Sequence, residues 1–307
     1  MVQTNSPRLK KLTIAAYGML LSILYFSNWP KLLLFSILHV SPREYVLKVS
    51  KRQIVRIPPF GYQYRAFAHL SLLLRNGWNV VESGMSDLLL LRKGNLQFYC
   101  RTEIGSDVTE LKEIFIDRVY EYNPKSQVVI DVGMSSGNSS VYFSKKGASL
   151  VVGVEPNILS YRLALKNFKL NGVNNIIAYN ALLGTSNGEK NVIIDEESGY
   201  VTNQSNESPS SNSHLVDVIT INDILLQNGI SYIDVLKMDC EGCEYDFIDS
   251  ASNELFNRIG IIFLEYHNGV EKILSRKAMD AFEIKSHSIT FSGKVGILIL
   301  ARKKKLE

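Results

Sequence analysis

From residue 127 the chain alternates short apolar runs with longer amphipathic stretches, and this rhythm constrains its fold more than any other feature. Val128 to Asp131, Leu150 to Val154, Ile176 to Tyr179, Val235 to Met238 and Ile259 to Tyr266 read as buried strands, short and rich in Val and Ile. A glycine-bearing turn and a predicted helix to Lys146, stopped at Gly147, follow the first. Leu159 to Lys169 carries Leu159, Leu163, Leu165 and Phe168 at helical spacing, with Gly172 just beyond as a stop. Thr220-x-x-Asp223 opens another helix as a capping box. Strands alternating with helices predict a doubly wound, mostly parallel α/β sheet. Ligands of such sheets bind at the carboxyl ends of the strands, where Asp131, Glu155, Asp239 and His267 fall.

Three segments make up the expected organisation. Residues 1–40 form an apolar, basic helical hairpin, residues 41–118 a small β-containing region, and residues 119–304 the α/β domain. In the middle segment, Tyr45 to Ile57 alternates apolar and basic residues like one strand, and Leu88 to Leu91 with Leu96 to Cys100 reads as a hairpin. Within the α/β domain, residues 198–214 are polar, without apolar period, and predict a lid loop.

Charge divides the chain unevenly. Residues 1–101 hold 14 Lys and Arg against Glu44, Glu82 and Asp87, a balance of +11, and the remainder is net acidic at −7. A basic first third suits contact with something anionic, such as lipid head groups or the acidic rest of the chain; no nucleic-acid-reading motif accompanies it. Leu12 to Pro30 lacks charge for 19 residues behind Arg8, Lys10 and Lys11, nearly the length of a membrane span. Thr, Gly, Ser, Asn and Pro interrupt it and LLLFSILHV follows at once, so a docked or interfacial hairpin is preferred over a spanning helix. Three cysteines, Cys100, Cys240 and Cys243, are too few for a disulfide framework, and the expected location is cytoplasmic with membrane attachment through residues 8–40.

Two local patterns carry the chemistry. Asp131-Val-Gly133-Met134-Ser135-Ser-Gly137 turns from strand to helix, and three readings of it stand open. Gly133 and Gly137 can bring backbone close to a nucleotide, with Glu155, 24 residues beyond Asp131, available to two ribose hydroxyls. Gly133 to Gly137 also spells G-x-S-x-G, and Ser135, Asp239 and His267 follow in the order of an α/β-hydrolase. A nicotinamide site is weaker, because position 135 is not glycine. The second pattern, IDVLKMDCEGCEYDFI (233–248), interleaves Cys240-x-x-Cys243, the spacing of a zinc half-site or a redox pair, with Asp239, Glu241 and Glu244. No second Cys/His cluster completes a four-ligand zinc site, so the carboxylates are expected to matter and the thiols to be incidental.

These segments resemble the FkbM-type S-adenosylmethionine-dependent methyltransferases. VVIDVGMSSGNSS (128–140) is similar to the family's strand-and-glycine motif, with Met134 and Ser135 where Ala-Asn is common. GVEPN (153–157), LKMDCEGCEYDFI (236–248), LEYH (264–267) and the closing VGILILARKKK resemble later family segments. The resemblance covers about residues 119 to 304 and implies a class I, Rossmann-like methyltransferase fold with an antiparallel C-terminal strand. It implies S-adenosylmethionine as cofactor, held by Asp131, Gly133, Met134, Ser135, Gly137, Glu155, Pro156 and Asn180. It further implies O-methylation of a sugar, glycolipid or other small-molecule or lipid-linked hydroxyl, with His267 as base and Asp239 and Glu241 positioning the acceptor. A divalent cation bound through oxygen ligands is a further option, with no metal site assigned. The non-catalytic alternative is a cofactor-fold module recruited to membrane.

Overall fold

The computed structural model describes residues 17, 20–38, 45–48, 54–57, 66–81, 88–101, 105–194, 201–203, 213–289 and 294–303. The chain divides into two compact units: Met1–Val119 with Lys169–Gly172 and Glu196–Gly199, and the remainder from Tyr120 onward.

In the first unit, helix α1 (Trp29–Leu38) follows a helical stretch at 20–25. Leu21, Phe26 and Leu32 are buried, while Leu20, Leu24, Leu34 and Leu38 are exposed. Among the described residues no helix is long and apolar enough to cross a membrane. Arg8, Lys10 and Lys11 lie outside them. The run expected as one strand is two, β1 (Tyr45–Lys48) and β2 (Ile54–Ile57), paired antiparallel. The polar Ser50-Lys51-Arg52-Gln53 interrupts the alternation between them. After α2 (Ala66–Arg75), strands β3 (Asn79–Val81), β4 (Leu88–Lys93) and β5 (Leu96–Arg101) form an antiparallel sheet, the β4–β5 hairpin being the expected one. Trp78, Phe98 and Phe115 cluster with ring centroids 5.4 to 6.0 Å apart.

The second unit is built on a seven-stranded sheet. Its parallel strands are β6 (Val128–Val132), β7 (Leu150–Val154), β8 (Ile176–Tyr179), β13 (Ile233–Met238) and β14 (Ile259–Tyr266). Strands β15 (Phe282–Ile289) and β16 (Gly296–Arg302) complete it antiparallel. The order is β15-β16-β14-β13-β6-β7-β8, a doubly wound, mostly parallel Rossmann-like sheet with an antiparallel C-terminal edge. The five predicted parallel strands are present; β15 was not foreseen, because all but one of its residues are exposed. β-Branched runs such as VVIDV and IDVLKM are buried almost end to end, as covered parallel strands require. Each such Val or Ile contributes about 1.5–3 kcal/mol by leaving water.

A second, four-stranded sheet was also missed. It joins β9 (Leu182–Leu183), β10 (Gly188–Ile194), β11 (Val201–Asn203) and β12 (Ser213–Ile219). The expected loop 198–214 is therefore partly strand, since β11 pairs with β10 and β12 begins at Ser213. Residues 198–200 and 204–212 lie outside the described residues. Thr220 and Asp223 form the expected capping box at the start of α6 (Ile221–Gln227), next to β12.

The strand order reverses between β6 and β13, which are themselves parallel: β7 and β8 lie on one side of β6, β13 and β14 on the other. Brought together at this switch point are the two turns that matter. Gly133 has φ 73°, and a Cβ there would stand 1.7 Å from the Asp239 carbonyl oxygen. Gly133→Ala combines a left-handed backbone with a clash against main chain that cannot give way. The expected loss is about 3 kcal/mol, a melting temperature lower by roughly 10 °C in thermal denaturation.

Candidate functional site

The carboxyl ends of β6, β7, β13 and β14 carry the residues singled out from sequence. Glu155, just past β7, is 7% exposed. Its Oε2 accepts from the Ser135 N–H at 2.9 Å and its Oε1 from the Asn157 N–H at 2.8 Å. This carboxylate ties the glycine turn to the end of β7. Asn180, just past β8, donates through Nδ2 to the carbonyls of Glu155 and Pro156 at 2.8 and 3.0 Å. Beside them Pro156, Ile158, Asn180, Ile194, His214 and Val216 contribute to a cleft of about 270 Å³.

The glycine turn itself is rigid. The Gly133 and Met134 amides donate to the Val154 carbonyl at 2.9 and 3.1 Å. Ser135 has φ 49°, and Gly137, at φ 82°, lets α4 (Asn138–Lys145) start against Phe168 and Ala164. The Met134 side chain is buried against Gly153, so only its backbone belongs to the turn.

Asp131 corrects the sequence expectation of a residue facing a ligand. It is fully buried beneath the turn. Its Oδ2 accepts from the Ser139 and Ser140 hydroxyls at 2.7 and 2.6 Å, and its Oδ1 is 3.1 Å from Lys237 Nζ. Lys237 is its cross-strand neighbour on β13 and is 2% exposed. The same ammonium donates to the Gly133 carbonyl at 2.6 Å. Asp131 thus acts on the turn through Lys237.

Around His267 the structure gathers carboxylates. Nδ1 lies 3.2 Å from Oε1 of Glu244, a side chain that is fully buried at the start of α7 (Cys243–Ser250). On the other ring edge, Nε2 is 3.5 Å from Glu241 Oε2 and 3.9 Å from Asp239 Oδ1. Burial alone would push the imidazole pKa down. The Glu244 hydrogen bond, with the Glu241 and Asp239 charges, outweighs it and lifts the value to about 9. Burial raises the Glu241 carboxyl above its ordinary value, with His267 opposing. Asp239, Glu265 and His267 offer ligand atoms within 4.8 Å of one another, enough to hold a divalent cation.

Glu244, named among the carboxylates of this stretch, received no role from the sequence; its signal was the second glutamate of Glu241-Gly-Cys-Glu244. The cysteines are the other correction. Cys240 and Cys243 are joined in a disulfide, while Cys100 is a buried free thiol. The C-x-x-C spacing of a redox pair is realised, against the expectation that the thiols are incidental, because the tight turn from β13 into α7 brings the two sulfurs together.

Residues 131–282 match the family model described as Methyltransferase FkbM domain, and this segment is an FkbM methyltransferase domain. That assignment displaces the hydrolase and dehydrogenase readings of the glycine turn. Over 91 residues the chain is 38% identical to the ribosomal protein L11 methyltransferase of Caldanaerobacter subterraneus subsp. tengcongensis, a match covering 29% of this chain and 29% of that relative. The chain therefore spans under a third of that relative's length. Among solved structures, the ribosomal protein L11 methylase of Lactobacillus delbrueckii subsp. bulgaricus aligns at 18% identity and TM-score 0.36, covering 64% of this chain and 79% of that one. M. jannaschii TYW2 in complex with AdoMet aligns at 13% identity and TM-score 0.42, covering 72% and 88%. At these scores the fold assignment stands on the strand order of this chain.

The folded pKa of His267 lies above its ordinary 6.5, so its ion pairs stabilise fully below that value and lose their effect as pH rises through about 9. His267→Gln should lower the melting temperature in mildly acidic buffer, and the gap to wild type should close as pH passes about 9. Thermal melts across that range check it.

Proposed function

We propose that this chain is an S-adenosylmethionine-dependent methyltransferase whose acceptor is a hydroxyl of a sugar, glycolipid or other small molecule. The observation that carries the reading is the close approach of Gly133 to Asp239: the turn suited to a nucleoside cofactor adjoins the acidic loop beside His267. The space beside the Gly133 Cα is taken by the main chain of Asp239 and Cys240, so the absent side chain lets the glycine turn and the acidic loop share one rim of the sheet.

In this reading the turn Gly133–Gly137 and Glu155 hold the cofactor, with Pro156 and Asn180 beside the cleft. A carboxylate has roughly four lone-pair directions, so Glu155 can keep its two amide donors and still accept from ribose hydroxyls. The bound cofactor supplies an electrophilic methyl group on a sulfonium. Asp131 supports the turn from below through Lys237.

His267, Asp239 and Glu241 act on the acceptor. With Nδ1 facing Glu244, Nε2 is the atom free to exchange a proton with an acceptor hydroxyl. Glu241 and Asp239, flanking Nε2, accept hydrogen bonds from the acceptor and orient it. At neutral pH the ring is mainly imidazolium, so an acceptor has to draw the carboxylates away before Nε2 can take its proton. The excess of carboxylates over cations favours a second reading, an acceptor carrying an amine, and the relative that methylates a ribosomal protein by name is consistent with it.

Isothermal titration with S-adenosylmethionine should show saturable binding, lost in Glu155→Ala and kept in Ser135→Ala. Heat release unchanged by Glu155→Ala would remove this carboxylate from the cofactor site. If the cofactor binds while His267→Ala, Asp239→Ala and Glu241→Ala leave transfer to every acceptor untouched, the chain is the non-catalytic module instead.

Membrane attachment belongs to the same proposal. The exposed Leu20, Leu24, Leu34 and Leu38 in a basic segment suit the interface of an anionic bilayer. The full chain should float with phosphatidylserine-containing vesicles and dissociate when these four leucines are replaced by serine. Flotation that ignores the replacement rules the patch out.

A further inference from the structure

The Cys240–Cys243 disulfide has no part in methyl transfer as described, yet it closes the loop that carries Glu241. Cys240 follows Asp239 beyond β13, and Cys243 is the first residue of α7. Between them Glu241 has φ 55° and Gly242 φ 123°. A left-handed conformation is unfavourable for a non-glycine residue, so Glu241 keeps it only while its surroundings enforce it. Two restraints do so: the disulfide itself, and the Gly242 N–H donating to Glu244 Oε2 at 2.8 Å. The other oxygen of Glu244 holds His267.

We propose that Cys240–Cys243 is a thiol–disulfide exchange site, opened by a dithiol reductant, and that opening it releases the loop presenting Glu241 to His267. The proposal rests on the methyltransferase reading only in treating Glu241 and His267 as working groups. The two sulfurs are unequal. Cys240 is half-buried, whereas Cys243 is 3% exposed, so an attacking thiolate meets Cys240 Sγ first. Glu244 Oε2 lies 3.5 Å from Cys240 Sγ and disfavours negative charge there, which makes Cys240 the poorer leaving group. Cys243 begins the eight-residue α7, and the positive end of that helix favours its thiolate.

The exchange balances as a two-electron transfer. One thiolate of the dithiol attacks Cys240 Sγ, the Cys240–Cys243 bond breaks, and its electron pair leaves on Cys243. The second thiol of the reductant, as thiolate, attacks the reductant sulfur of the mixed disulfide and expels Cys240. Both cysteines end as thiols, having taken two protons, and the dithiol ends as a cyclic disulfide.

The test uses the full chain equilibrated with reduced or oxidised dithiothreitol. Alkylation followed by peptide mass analysis should find Cys240 and Cys243 unmodified in the oxidised sample and both alkylated in the reduced one, with the protein still folded. Hydrogen exchange should then accelerate on reduction by about tenfold or more at Gly242 to Tyr245, with β13 unchanged. Cys240→Ser should exchange at the fast rate in either buffer. The idea is overturned if Cys240 and Cys243 alkylate freely in oxidising buffer, or if the folded protein resists reduction. It is equally overturned if reduction leaves exchange at Gly242 to Tyr245 unaltered. No readout involves methyl transfer, so failure here is separable from failure of that activity.

Discussion

The ammonium of Lys237 is the interaction on which the rest of the site depends. It reaches from β13 across to β6, faces the buried Asp131 carboxylate at 3.1 Å and donates to the Gly133 carbonyl at 2.6 Å. A buried ion pair adds little net stability, because desolvating both ions offsets most of their attraction. Removing one partner is another matter, since it strands the other charge out of water. What the pair does supply is placement. Lys237 also lies 5.8 Å from the Tyr120 ring centroid, and Tyr120 packs against Phe143 and Phe263, so the cation is held on several sides. The glycine turn therefore has one position relative to the loop after β13.

Above that foundation the site is a charge cluster with too few cations. Asp239, Glu241 and Glu244 surround one imidazole, and the ring answers by keeping its proton. An acceptor, a divalent ion or a change in the loop each alters that balance. Glu244 differs from the other two acids in being wholly enclosed. It fixes the ring and the loop at once, whereas Asp239 and Glu241 retain a face toward solvent.

Most of the parallel sheet was legible because buried strands announce themselves as apolar runs. Strands with a wet face were not: β15 is almost wholly exposed and β10 mostly polar, so neither carries an apolar signature. The site was legible in part. His267, Asp239 and Glu241 do converge, as their places at strand ends implied. Asp131 also ends a strand, yet it points into the interior. There it meets the Ser139 and Ser140 hydroxyls and Lys237, a partner 106 residues away whose proximity only the pairing of β6 with β13 creates. Spacing along the chain holds no record of that. The role of Glu244 was hidden for a similar reason, since it follows from how sharply the chain turns between β13 and α7, and the same turn decides between the readings that the C-x-x-C spacing offered.

The placement of β16 has a consequence for how the molecule is made. This strand lies between β14 and β15, antiparallel to both, although it follows them in sequence. Until residues 296–302 leave the ribosome, β14 has no partner on that side, and its hydrogen-bonding groups stay open to other chains. The half of the sheet that presents His267 is thus the last to close. A nascent chain depends on a late strand to cover it.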